Sequence, residues 1–263
     1  MFLAAFGHDL ADSARSIRRV AQLTVLIALP LLLAHYATEA ARMADDWSGL
    51  VDPTLQRLVL ASSGSAMLIV RLSGLGIVAI ALRRESSSGR TASVIGAVLV
   101  AASFAFAGHT SAHRLRALLA PLLITHVLIV AFWFGSLLPL YIASTRETAQ
   151  RAGRVIAAFS AIATWLVPGI AVAGLLMTLM LVRQLGVFLE PYGWLLIGKA
   201  VGFVMLMVLA ALNKWRLGPA IATNDGRAVR TFRRSLGAEY ALIAAVLAAT
   251  VVMTTFFSPD PSK

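Results

Sequence analysis

The 263-residue sequence contains no cysteine. This absence excludes disulfide bonds, thiolate metal sites and a cysteine nucleophile, so methionine is the only sulfur ligand that the chain offers. Charged residues are also scarce, at 13%, whereas 59% of the residues are hydrophobic and the mean hydropathy is +0.83. A soluble domain of this length could not bury so much apolar surface, so the composition indicates a membrane protein.

Motifs of energy coupling and catalysis are missing as well. The sequence has no phosphate-binding Gly-Lys-Ser/Thr loop, which argues against ATP-driven pumping by this chain alone. No Ser/His/Asp or paired-carboxylate arrangement stands out, and we expect the protein not to be an enzyme. The N-terminal "MFLAAFGHDLADSARSIRR" has its apolar stretch before the basic residues, which is the reverse of a cleavable signal.

Apolar stretches long enough to cross a bilayer, about 20 residues each, recur along the chain. They cover residues 18–37, 57–82, 91–108, 116–142, 154–182, 194–213 and 236–257. We predict an all-α, polytopic transmembrane bundle of about seven spanning helices over residues 18–257, with an N-terminal segment at 1–17 and a tail at 258–263. Gly198 and Gly202 have the small-xxx-small spacing that allows helices to approach closely.

Lysine and arginine are distributed unevenly between the two sets of connecting segments. The N-terminal segment and every second loop hold fifteen of these residues, and the other set holds six. The positive-inside rule therefore predicts a cytoplasmic N-terminus and a C-terminus on the outer side. The net charge of +11 is then a topology signal and needs no nucleic-acid partner.

Histidines and methionines cluster toward the predicted outer side. The turn "GHTSAH" carries His109 and His113, which share one face if the segment is helical. Imidazole binds transition metals and thioether favours Cu(I), although polar residues at this level also simply cap helix ends. Further candidates at the outer ends of the spans and in the first outer loop are His35, Met43, Met177, Met180 and Met253.

Several titratable side chains are predicted inside the membrane, among them His126, Arg71 and Lys199. His126 lies ten residues past Arg116, hence about 15 Å deep at 1.5 Å per residue. Such a residue normally has a function or a partner, and the alternative here is a hydrogen bond to a backbone carbonyl across a helix interface. Arg71 is too deep to reach the headgroups, so we expect it to pair with a group in the bundle interior.

Four blocks in order resemble the CopD family of copper resistance membrane proteins. They are "GHTSAH", "HVLIVAFWFGSLLPL" (126–140), "EPYGWLLIGKAVGFVMLMVLAALNKWRLGP" (190–219) and "RRSLGAEYALIAAVL" (233–247). The chain departs from the family where Trp-x-Gly-Gly becomes "WFGS", with Ser136 at the second glycine. It also lacks the acidic residue that often precedes the family histidine, here His126.

The resemblance implies movement of copper across the bacterial inner membrane, usually described as import, beside a periplasmic CopC-like copper-binding protein. In that reading His109 and His113 capture copper, with His35 and Met43 as helpers, and His126 is the deep ligand. The remaining methionines, Met177, Met180 and Met253, are soft relay ligands.

Two other readings remain open from the residues. One is a haem b electron-transfer protein of the cytochrome b561 kind, with a single haem between His126 and either His35 or His109. The other is an assembly partner for another metalloprotein, with no metal site of its own. Metal analysis of the purified protein separates these readings, since haem gives a Soret band and copper does not.

Because the chain has no native cysteine, single cysteines report the topology directly. We expect Ser111→Cys to react with a membrane-impermeant thiol reagent in intact spheroplasts, whereas Asn224→Cys should not react. The opposite labelling pattern would contradict the predicted orientation and, with it, the outward position of the histidines.

Overall fold

A computed structural model describes residues 1–106, 114–181, 185–223 and 225–257. Within these ranges the chain forms helices and connections, with no β-strand. The α-helices are α1 (Phe2–Phe6), α2 (Ala14–Ala44), α3 (Pro53–Ala61), α4 (Ser63–Ala81), α5 (Ser87–Ser103), α6 (Arg116–Arg146), α7 (Ala149–Leu181), α8 (Pro191–Leu212), α9 (Gly218–Ala222) and α10 (Gly226–Phe256). Short 3₁₀ turns occupy Gly7–Asp9, Trp47–Leu50, Phe104–Phe106 and Leu185–Leu189, and a π-helical turn follows α8 at Asn213–Leu217.

Seven helices in the described ranges are long and apolar enough to cross a membrane. They are Ala14–Ala44, Gly64–Ala81, Ser87–Phe106, Arg116–Arg146, Ala149–Leu181, Pro191–Ile221 and Gly226–Phe256. Their outward faces carry many exposed leucine, isoleucine and valine side chains, as expected for helices surrounded by lipid. The all-α, multi-span fold class is confirmed.

The second predicted span differs from the structure at its start. Residues 57–82 read as one apolar run, but the helix is broken at Ser62, whose backbone is extended (φ −85°, ψ 169°). The Ser62 hydroxyl accepts a hydrogen bond from Gly64 N at 3.1 Å and so caps α4. The sequence marks the break only by the short polar stretch Ser-Ser-Gly-Ser at 62–65, which the averaged hydropathy of the long apolar run conceals.

The chain divides into two compact units, and the division falls within α6. The first comprises Met1–Gly7 and Ala14–Ala131, and its α4 and α5 pack backbone to backbone. A Cβ atom on Gly74 would lie 2.7 Å from the Gly96 carbonyl oxygen, and one on Gly96 would lie 2.6 Å from that of Gly74. Only glycine permits so close an approach at this crossing.

Arg71 has the interior partner that its depth demands. Its Nε donates to Ser103 Oγ at 2.9 Å, and its guanidinium carbon lies 4.3 Å from the centre of the Phe104 ring. Both partners lie at the end of α5 or just after it. The cation is therefore held by a hydroxyl and an aromatic face rather than by a carboxylate.

The second unit comprises His8–Ser13 and Phe132–Lys263. Within it, one oxygen of Glu147 accepts hydrogen bonds from the backbone N–H groups of residues 11–13 and from the Ser13 hydroxyl, at 2.5–3.0 Å. Burial alone would raise the pKa of Glu147, but these donors outweigh it and hold the pKa below its ordinary value. The carboxylate anchors residues 11–13 to the short α6–α7 connection.

Helix α10 packs closely on two other helices of this unit. A Cβ atom on Gly202 in α8 would lie 2.8 Å from Val246 Cγ2, whereas one on Gly198 would meet nothing within 4 Å. Of the predicted small-residue pair, Gly202 alone therefore marks a tight interface. On the α6 side, Arg233 donates to the Ser144 carbonyl at 2.6 Å.

The α4–α5 crossing yields a matched pair of variants. We expect Gly74→Ala to lower the free energy of unfolding by about 1–3 kcal/mol, because the new methyl group overpacks the Gly96 backbone. Gly76→Ala, on the same helix with open space around its Cβ position, should be neutral. SDS-induced unfolding of the purified proteins measures both, and equal midpoints for the two variants would contradict the close approach.

Candidate functional site

Two of the predicted ligands, His109 and His113, lie outside the described residues. His126 lies on α6 and is half-buried. It is followed by Trp133 seven residues later on the same continuous helix, so the two side chains project from nearly the same face.

The other predicted ligands occupy diverse surroundings. His35 is exposed on α2, with its Nε2 atom 3.7 Å from Glu39 Oε1, and Met43 on the same helix is 56% exposed. Met177 and Met180 are half-buried near the end of α7, and Met253 is buried in α10. Among the described residues, no three His, Cys, Asp or Glu side chains come together as a metal site.

A different polar cluster lies in the second unit, and its centre is Glu239 on α10. Glu239 is only 2% exposed and accepts a hydrogen bond from Asn213 Nδ2 at 2.5 Å. The Trp133 indole donates a second hydrogen bond to the same carboxylate. Three helical segments thus place one carboxylate and its two donors inside an apolar part of the protein.

The cluster borders a cavity of about 190 Å³. Its walls are mostly apolar and come from α6, α7, α8, the π-helical turn and α10. Polar groups on the wall include Glu239, Asn213, Ser160, Thr164 and Lys214. The site is therefore an apolar cavity with a few convergent polar groups, which is the usual character of a small-ligand or ion site.

Two backbone irregularities flank this cavity. The π-helical turn begins at Asn213, and Pro168, which lines the cavity, interrupts the hydrogen-bond ladder within α7. π-helical turns are frequent at functional sites because they redirect one side chain out of the regular helical register. Here the turn brings Asn213 to Glu239.

Lys214 is the cation nearest to this cluster along the chain. Its ammonium donates to Thr164 Oγ1 at 2.8 Å and lies 5.7 Å from the centre of the Trp215 ring. The ammonium group is therefore held on the α7 side of the cavity. The hydrogen bonds found for the Glu239 carboxylate come from neutral groups, an amide and an indole.

The sequence alone did not predict this cluster, although its residues lie in the blocks that resemble the CopD family. Trp133, Asn213 and Glu239 fall in three of the four blocks that carry the family resemblance. The available signal was Glu239 itself, an acidic residue inside a spanning stretch. Its partners could not be deduced, because they are distant in sequence and meet only through helix packing.

Comparison with known protein families gives two matches that lie on either side of α6. Residues 153–253 match copper resistance protein D, and residues 1–114 match the copper resistance protein D-like N-terminal domain. The chain belongs to the CopD family. Asn213 and Glu239 lie within the first of these matched segments, and Trp133 lies between the two. No curated protein and no solved structure matches the chain.

Membership in the CopD family makes this a copper-related, multi-pass membrane protein. Both matches concern copper resistance, and neither supports the haem alternative. Three of the four blocks that carry the resemblance lie within the matched segments, and the block at 126–140 lies between them. The family is thus established.

The Glu239 cluster predicts a graded response to substitution. Glu239→Leu leaves the Asn213 and Trp133 donors buried without an acceptor, at about 1–3 kcal/mol for each, so its free energy of unfolding should fall clearly. Glu239→Gln keeps an acceptor oxygen and should lose much less. SDS-induced unfolding provides the measurement, and a leucine variant as stable as the unmodified protein would show that the hydrogen bonds contribute nothing.

Proposed function

We propose that this CopD family protein imports copper from the periplasm to the cytoplasm across the bacterial inner membrane. The two family matches over 1–114 and 153–253 carry the proposal. The charge asymmetry supports a cytoplasmic N-terminus and places the turn with His109 and His113 toward the periplasm. Copper is the cargo in this proposal, and no catalytic step is assigned.

The residue roles follow the predicted depth of each side chain. His109 and His113 capture copper at the outer surface, assisted by His35 and Met43, which are both exposed on α2. His126, half-buried in α6, takes the ion to the bilayer interior. The outer-end methionines, Met177, Met180 and Met253, supply thioether ligands for Cu(I) along the way.

A periplasmic CopC-like copper-binding protein is the proposed donor. Transfer from such a protein needs ligands that are accessible at the outer surface, and exposed imidazoles provide them. Each ligand along the path must bind copper well enough to load and weakly enough to release it. Isolated histidines and methionines meet that condition better than a closed site with four protein ligands.

Substitutions at His126 distinguish a role in copper binding from a role in packing. The copper increment is the extra copper in cells that produce the protein, relative to cells that lack it. We expect this increment to be about tenfold smaller for His126→Asn than for the unmodified protein, because asparagine replaces an imidazole ligand. His126→Met should retain part of the increment, since thioether also binds copper. The measurement is cellular copper by mass spectrometry at matched membrane levels of protein.

The matched control is His8→Asn, the same change at an exposed histidine of the N-terminal segment, which should leave copper accumulation unchanged. If His126→Asn performs better than His126→Met, the residue acts as a hydrogen-bond donor. If cells with the unmodified protein accumulate no more copper than cells without it, import itself is contradicted.

A further inference from the structure

Asn213, a residue of the wall of the cavity beside Glu239, has an unused acceptor. Asn213 is 7% exposed, and its Oδ1 atom is buried with no hydrogen-bond partner in the part of the chain that the structure describes. Its Nδ2 atom is committed to Glu239, which fixes the orientation of the amide. A buried acceptor of this kind is costly unless a donor or a cation occupies the space in front of it.

The charge of Glu239 makes the same demand. A carboxylate in an apolar region either takes up a proton or is paired with a positive charge, because neutral hydrogen-bond donors do not remove the cost of desolvating the ion. Lys214 is the charged group besides Glu239 on the cavity wall, and its ammonium is engaged with Thr164. The remaining wall groups are neutral.

The cavity has the room and the ligand types for a metal ion. Its volume of about 190 Å³ accommodates an ion together with several waters. Besides the oxygens of Glu239 and Asn213, the wall includes Met207 of α8, which contributes a thioether-bearing side chain. Carboxylate and amide oxygens with one thioether form a mixed donor set that binds copper less tightly than imidazoles or thiolates do.

Position along α6 relates this cavity to His126. Trp133, which donates to Glu239, lies seven residues after His126 on the same helix, about 10 Å farther along the axis at 1.5 Å per residue. With the orientation predicted from the charges, that direction is inward. On that orientation, Trp133 follows His126 along the inward course of α6.

We propose that this cavity is an inner transit site for the copper ion, with Glu239 and Asn213 Oδ1 as oxygen ligands and Met207 as the soft ligand. The identity of the ion as cargo rests on the proposed import function. The weak, oxygen-rich donor set suits release toward the cytoplasm, as a transit site requires.

The test is copper binding by the purified full-length protein in detergent, with Cu(I) under reductant and Cu(II) in separate arms. We expect Glu239→Gln and Asn213→Leu each to bind one copper equivalent less than the unmodified protein in at least one arm. The matched control is Glu190→Gln, the same change at an exposed residue before α8 that caps no backbone group through its side chain. It should bind like the unmodified protein.

A third variant guards against simple misfolding. Asn213→Asp keeps an oxygen near the Oδ1 position but replaces the amide donor with a second carboxylate next to Glu239. A purely structural cluster would lose stability whether or not copper is present, because like charges repel in an apolar site. A cation site instead predicts that copper raises the unfolding temperature of Asn213→Asp more than that of the unmodified protein.

The outcomes of the binding and accumulation experiments are distinguishable. Equal copper binding by all four proteins, or no stabilisation of Asn213→Asp by copper, overturns the inner site even if cells import copper normally. Loss of one equivalent in Glu239→Gln and Asn213→Leu supports the site, even if cells with the unmodified protein gain no copper. In that last case the protein binds copper without importing it, and the proposed function alone fails.

Discussion

The hydrocarbon core of a bilayer offers no water to a polar group, and most features of this protein follow from that constraint. It requires backbone hydrogen bonds to be made within each segment, which is why the described chain is helical. It also requires polar side chains inside the spans to find partners in the protein. Arg71 meets this need with a hydroxyl and an aromatic ring, and Glu239 with an amide and an indole.

The polar groups around Arg71 and those around Glu239 satisfy this constraint to different degrees. Around Arg71, the guanidinium donates to the Ser103 hydroxyl and lies over the Phe104 ring, whose face attracts a cation without any carboxylate. Around Glu239, the carboxylate is 2% exposed and its amide partner has a spare acceptor. Glu239 and Asn213 both line one cavity, and the proposed inner site assigns their oxygens to the copper ion.

The positions of the helices could be predicted from the sequence, but the contacts between them could not. Span positions, the need of Arg71 for a partner and the close packing at Gly202 follow from hydropathy, depth and residue size. The break at Ser62 does not, because a short stretch of serine and glycine such as 62–65 also occurs within unbroken spanning helices. Asn213 and Glu239 meet through a π-helical turn and the packing of α8 on α10. Helices that are apolar on all faces have no periodic pattern in their sequence, so the sequence does not show which faces pack together. His109 and His113 stay predictions, as they lie outside the described residues.

The position of Glu239 also bears on how the protein is made. An acidic residue inside a spanning stretch adds to the cost of insertion by the translocon, and α10 carries this acid as the last of the described helices. Its hydrogen-bonding partners, Trp133 and Asn213, belong to segments that leave the ribosome earlier. When α10 enters the membrane, the segments that carry these two hydrogen-bond donors have therefore already been synthesised. A circularly permuted chain that began with α10 would have to insert Glu239 before its donors are present.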